Sequence, residues 1–161
     1  MSLLVPTLSL ESIVKKWKDA IVASTAINNY CQTNFGKLPK IYVGLDPRVS
    51  RTQTDCPYIA LSPVSKQEGL DHSEYKYTCI VGWVILNGNT TVTGNVAELD
   101  GVYQLDQLGQ LIWQAIADIN PNYPLSDLDY NVDMLDYVPQ FAGHANITLT
   151  VPITMGAGIN Y

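Results

Sequence analysis

Few side chains in this sequence are suited to chemistry. His72 stands in a polar stretch beside Asp71 and close to Glu74, and His144 sits between Gly143 and Ala145 where a strand turn is expected. An imidazole flanked by carboxylates can act as a general base. Cys56 with His72 would form a nucleophile and base if folding brought them together, because such pairs assemble in space and not in sequence. Neither histidine lies within a recognised catalytic signature, so the residues point to exposed loop histidines and to no catalytic group. Asp127, Asp129, Asn131 and Asp133 (DLDYNVD) place oxygen donors at every second position, as the first four ligands of a calcium loop do. That loop also needs a glycine at its sharp turn and a closing glutamate, and Val132 and Val138 stand there instead. On a strand the same spacing puts the carboxylates on one face, so the expectation is an acidic strand face and no metal site. Gly82, Gly88, Gly94 and Gly101 are scattered, with no lysine following as a phosphate loop would require. No cofactor is expected.

The three cysteines, Cys31, Cys56 and Cys79, match no metal-ligand spacing, and a single disulfide would leave one unpaired. They read as small apolar core residues of a chain folded in a reducing compartment. Met1 to Leu10 lacks the basic opening and apolar run of a signal peptide, and Ile80 to Leu86 is too short to span a bilayer. Synthesis in a cytoplasm, with no membrane partner, is the expectation.

The 161 residues suffice for one domain, since a chain of this size buries about two thirds of its unfolded surface without staples. Only 15% of residues are charged against an apolar 47%, a composition suited to a subunit packed against neighbours. The net charge of −6 disfavours a phosphate-backbone binder, and the aromatic residues lack the interleaved cations of a base-stacking platform. The charges are unevenly placed. All nine Lys and Arg occur by Lys76, alongside seven carboxylates; the remainder of the chain holds eight carboxylates and no cation. One basic and one acidic side would let copies join head to tail, a contact that closes into a ring when the rotation allows. A dispersed, solvated charge pattern is the plainer alternative.

Leu10, Ile13, Val14, Trp17 and Ile21 recur at helical spacing behind Ser9, a capping residue type. The pattern runs on through Ile27, Tyr30 and Cys31 to Gly36, as one bent helix or as two with a break at Ser24 and Thr25. A short strand, Lys40 to Gly44 (KIYVG), precedes a polar loop from Leu45 to Cys56. Tyr58 to Leu61 forms a second strand and Ser62 to Ser73 a long loop. The longest strand follows from Tyr75 to Leu86, with Asn87-Gly88 as the turn that returns Thr90 to Val96 as its hairpin partner. Leu105, Leu108, Ile112, Ala115, Ile116 and Ile119 define a helix from about Gly101 to Ile119, closed by Pro121 and Pro124. Strand periodicity resumes at Leu128, with a bulge near Met134 or Leu135. After a turn around Gly143 comes the cleanest alternation, Ala145 to Ile153, whose Pro152 suggests a sheet edge. The order predicts a single two-layer α+β domain over residues 1–161, with two main amphipathic helices packed on one face of an antiparallel or mixed sheet.

This layout resembles the tail terminator, or tail completion, proteins of tailed bacteriophages and prophages. The resemblance rests on the helical segment from about Ser9 to Phe35, then KIYVG, a polar loop, YIAL, YKYTCIVGWVIL, the helix from Gly101 to Ile119 and a last hairpin ending in NITLTVPIT. It implies a non-enzymatic virion protein, assembled in the host cytoplasm as a ring, typically of six subunits. The ring caps the tail tube, stops its polymerisation and meets the head connector. On that reading Arg48, Arg51 and Lys66 are partner contacts, the arginines engaging an acidic surface on a neighbouring subunit or on the tube. The acidic strand with Asp127, Asp129 and Asp133 faces that partner or the DNA passage without binding nucleic acid specifically. A neck protein or contractile-sheath terminator would share the layout. A small α+β hydrolase-like enzyme using His72, His144 and the aspartates, or a ligand-binding module using the tyrosines, are the readings from other classes.

Overall fold

The computed structural model describes residues 8–69, 73–119, 125–133 and 139–152, with the side chains of β6 described at Leu125 and Asn131. Helix α1 (Leu10–Ala23) starts where the Ser9 hydroxyl accepts from the backbone N–H groups of Glu11 and Ser12, and it turns Ile13, Val14, Trp17 and Ile21 inward. The chain then makes two helices, not one. Ser24 leaves helical geometry at ψ 109°, ends α1 and caps α2 (Thr25–Phe35) by accepting from the Ile27 N–H, and Gly36 closes α2 with φ 72°. Strand β1 (Lys40–Val43), a short 3-10 turn (Gln53–Asp55), β2 (Tyr58–Gln67) and β3 (Glu74–Leu86) follow. Next come the small strands β4 (Thr90–Thr93) and β5 (Val96–Leu99), helix α3 (Asp100–Asp118), β6 (Leu125–Asp133) and β7 (Gln140–Pro152).

The fold is α+β. The main sheet has the order β1-β2-β3-β7-β6 and is mixed, because β1 runs parallel to β2 while the other neighbours are antiparallel. All three helices lie on one face. Odd-numbered residues of β3, from Tyr75 through Tyr77, Cys79, Val81 and Trp83 to Ile85, point into a single core with Trp17, Ile27, Leu105, Leu108 and Ile112. The opposite face is different. Cys56, Tyr58 and Val84 form a small second cluster there with Tyr42, Leu86 and Ala142. Farther along, Thr78 and Thr148 hydroxyls meet across the strands at 2.9 Å.

Several expectations are corrected. The segment from Ser62 is not a loop as far as Gln67: β2 continues, tolerating Pro63 by a register shift between Pro63 and Ser65, and this carries Lys66 onto a strand opposite Tyr77. Thr90 to Val96 does not return along β3, whose two sides are taken by β2 and β7. Instead Thr90–Thr93 pairs with Val96–Leu99 around Gly94 at φ 63°, making a separate hairpin. Gly143 and His144 are not at a turn but inside β7, paired with Trp83 and Gly82. Pro152 is the last residue of β7, opposite Glu74 of β3, and the described pairing of β6 with β7 reaches as far as Leu149. A register shift in β6 lies between Ser126 and Asp129; Met134, Leu135, Pro121 and Pro124 lie outside the described residues.

Gly143 is required by a close approach. The Trp83 indole lies over it, so an added Cβ would stand 2.9 Å from two ring carbons, whereas a Cβ on neighbouring Gly82 would meet ordinary contact at 3.7 Å. The same indole donates its N–H to the Leu105 carbonyl at 3.0 Å, tying β3 to α3. Gly143→Ala is expected to lower unfolding free energy by about 1–3 kcal/mol in urea titrations. Gly82→Ala, on the other face, should cost nothing or stabilise by a few tenths.

Candidate functional site

The chain from Lys37 to Cys56 borders the sheet along β1 and concentrates cations, four (Lys37, Lys40, Arg48 and Arg51) against two carboxylates (Asp46 and Asp55). Each is held differently. Lys40 bonds Asp55 at 2.7 Å, and the Asp55 carboxylate also accepts from the Thr52 backbone. Arg48 makes a two-pronged contact with Asp46, Nε and Nη2 each at 2.9 Å, while its side chain stays 87% exposed. The pair fixes the guanidinium and leaves its outer N–H edge facing solvent. Arg51 is drawn inward: its guanidinium stacks 4.2 Å above the Tyr42 ring, which meets Tyr58 edge-on at 5.8 Å. Its Nε is buried without a hydrogen-bond partner among the described residues. Arg48 and Arg51 thus share one border but not one role, the first presented outward and the second seated on the aromatic cluster.

Lys66 belongs to an internal network. Its ammonium lies 3.2 Å from Glu68 and over the Tyr77 ring, and Glu68 accepts from the Tyr77 hydroxyl and from the Leu8 backbone at 3.3 Å. Burial, with the Glu68 bond second, pushes the Tyr77 hydroxyl well above the usual phenol range. This arrangement pins the start of α1 to the sheet, a role that spacing alone could not reveal.

The acidic residues lie elsewhere. Glu98 accepts from Tyr103, Asp100 from Thr91, Asp106 from Gln110 and Asp118 from Gln114, all neutral donors on the β4–β5 hairpin or α3. The ion pairs, by contrast, join residues within the first 76: Glu11–Lys15, Lys18–Asp19, Lys40–Asp55, Asp46–Arg48, Lys66–Glu68 and Glu74–Lys76. Asp127, Asp129 and Asp133 fall on β6, the sheet border farthest from β1, with Asp129 opposite Asn146 and Asp133 opposite Ala142. Their side chains, and whether they share a face, lie outside what is described.

His144 is half-buried in β7 opposite Asn131, and His72 lies outside the described residues. Cys31, Cys56 and Cys79 are buried free thiols. Burial raises all three, Cys31 to about 11 and Cys79 to about 12, which keeps them protonated and unreactive near neutrality. Among the described residues no three His, Cys, Asp or Glu side chains cluster to hold a metal ion, and no helix is long and apolar enough to cross a membrane. Sequence reading missed an apolar cleft of about 240 Å³ between α3 and the sheet, lined by Trp83, Gly109, Ile112, Trp113 and Ala145 with Asp106 at its margin. Gly109 within the apolar spacing of α3 was its available signal. Scans against protein-family models and against curated proteins return no match to this chain.

The β1 border carries a pH signature. Asp55 titrates at about 2, held down first by the Lys40 bond and then by the Thr52 amide. A depressed carboxylate contributes stability that is present above its unfolded value and lost as pH falls through the folded one. Its share therefore disappears between about pH 4 and 2. Carboxyl NMR titration should place Asp55 in that low range, and Lys40→Met should move it upward towards the ordinary aspartate value.

Proposed function

We propose that this chain is a structural subunit that joins copies of itself head to tail in a ring, and that the ring is a phage tail terminator. It would cap the tail tube, end its polymerisation and offer a surface to the head connector, with no reaction catalysed. One observation carries this reading. Ion pairs engage two of the four cations between Lys37 and Cys56 and leave that border a surplus of positive charge, whereas the carboxylates of the hairpin and α3 bond neutral donors and keep their charge. In the sheet order the β1 border and the β6 backbone that carries Asp127, Asp129 and Asp133 are the two opposite margins, which supports a protomer with unlike charge on its two sides. Such a protomer favours a heterologous contact over a two-fold one, because a two-fold contact through either flank would oppose like charges. The order of helices and strands and the buried, unreactive thiols support the same reading.

The partners on this reading are further copies of the chain, the tube protein and the connector, and the location is the tail of the virion. Deleting the gene from the phage or prophage that carries it should yield tubes of uncontrolled length that do not join heads, and the gene supplied in trans should restore both. Tubes of normal length without heads would move the protein to the neck. Normal, infectious particles would reject a role in the tail altogether.

A further inference from the structure

The β4–β5 hairpin is an element that the fold does not account for. Residues 88–98 are all exposed, and of its eight strand residues Leu99 alone reaches the core's margin. A two-stranded ribbon standing alone is marginal in water. This one nevertheless shows apolar groups on both faces: Val92 opposite Ala97 on one, and Val96 beside Thr93 on the other. Val92 is 67% exposed and Val96 51%. Apolar groups on both faces suit a strand that enters another sheet by its edge, where alternate side chains are covered above and below.

An edge of matching length is offered by β1. Strand β1 pairs with β2 on one side and borders the main sheet on the other, and its four residues equal β5 in length. Leu38, Val43, Leu45 and Val49 are exposed around it, with the outward guanidinium of Arg48 among them. Uncovered apolar side chains next to cations thus mark the β1 border, and uncovered apolar side chains next to carboxylates mark the hairpin with Glu98 and Asp100. Single exposed valines need no explanation, but two such groups of opposite charge on one chain do.

We infer that β5 of one copy adds to the free edge of β1 in the next, so that Val96 and Val43 become neighbours and Glu98 lies beside Arg48. This contact rests on the head-to-tail reading and names the surfaces that make it. It also gives the exposed valines of the hairpin a partner, a second copy of the chain.

Sedimentation velocity on the full chain, with tail tubes added if it stays monomeric alone, reads the contact. Glu98→Arg and Arg48→Glu are each expected to weaken self-association about tenfold or more, and the chain carrying both should recover most of the loss, because the swapped charges attract again. All these positions are exposed, so thermal melts should match the parent, and Val22→Glu on α1 should leave assembly unchanged. Under mild oxidation an equal mixture of Val43→Cys and Val96→Cys chains should give a disulfide-linked dimer that neither forms alone. Parent chains that assemble while the charge variants assemble equally well and the cysteine pair stays unlinked would overturn the hairpin contact and leave the ring standing. Parent chains that associate neither alone nor on tubes would overturn both.

Discussion

The Trp83 indole holds the two layers together. It fills the space above Gly143, where no side chain can stand, and its N–H reaches the Leu105 carbonyl on α3. A single ring therefore spans β3, β7 and the helix that covers them, in a site where an unpaired indole N–H would carry a desolvation cost of about 1–3 kcal/mol. The consequences spread outward. β3 and β7 are paired along their whole lengths, Glu74 to Pro152 at one end and Leu86 to Gln140 at the other, and form the axis on which the other strands register. With α3 fixed to that axis, α1 and α2 have one face left to cover, and Trp17, Ile27 and Cys31 complete the same core.

Much of this was legible because burial enforces period. The helix face of α1, its Ser9 cap and the Gly36 stop follow from local chemistry, and so does the alternation in β3, while local chemistry leaves open the choice between one bent helix and two at Ser24. The misreadings have a common origin in tertiary pairing overriding local signals. Asn87-Gly88 is a turn dipeptide, but β3 already had neighbours on both sides. Gly143 looked like a turn glycine and is instead the floor beneath an indole. Pro63 and the polar residues after Leu61 suggested a loop, yet strand β3 extends far enough to pair with them once one register shift is accepted. The candidate site was legible only in part. Charge segregation could be counted from the sequence, whereas the different fates of Arg48, Arg51 and Lys66 depend on Asp46, Tyr42 and Glu68 being close in space.

The arrangement of charge also separates two tasks. Apart from Lys40–Asp55, cations near β1 and α1 meet carboxylates a few residues away in sequence, so those pairs need little long-range structure to form and add little to the uniqueness of the fold. The specifying work falls to the apolar core. Among the described residues, Glu98, Asp100, Asp106 and Asp118 accept from neutral donors, so their charge is left uncompensated. On the proposed head-to-tail contact, a neighbour's cations would turn the field of that charge into attraction and orientation together.

The exposure of the ion pairs among the described residues has a further consequence for how the molecule responds to its medium. Exposed pairs in fixed contact are weak at any salt, so dissolved ions have little to remove from folding. The field between flanks of separate protomers acts over distances comparable to the Debye length, about 8 Å at physiological ionic strength, and is readily screened. On the proposed contact, folding and association would answer to different solvent variables: the folded protomer would tolerate a wide range of electrolyte, while the readiness to join would follow the ionic strength of the medium.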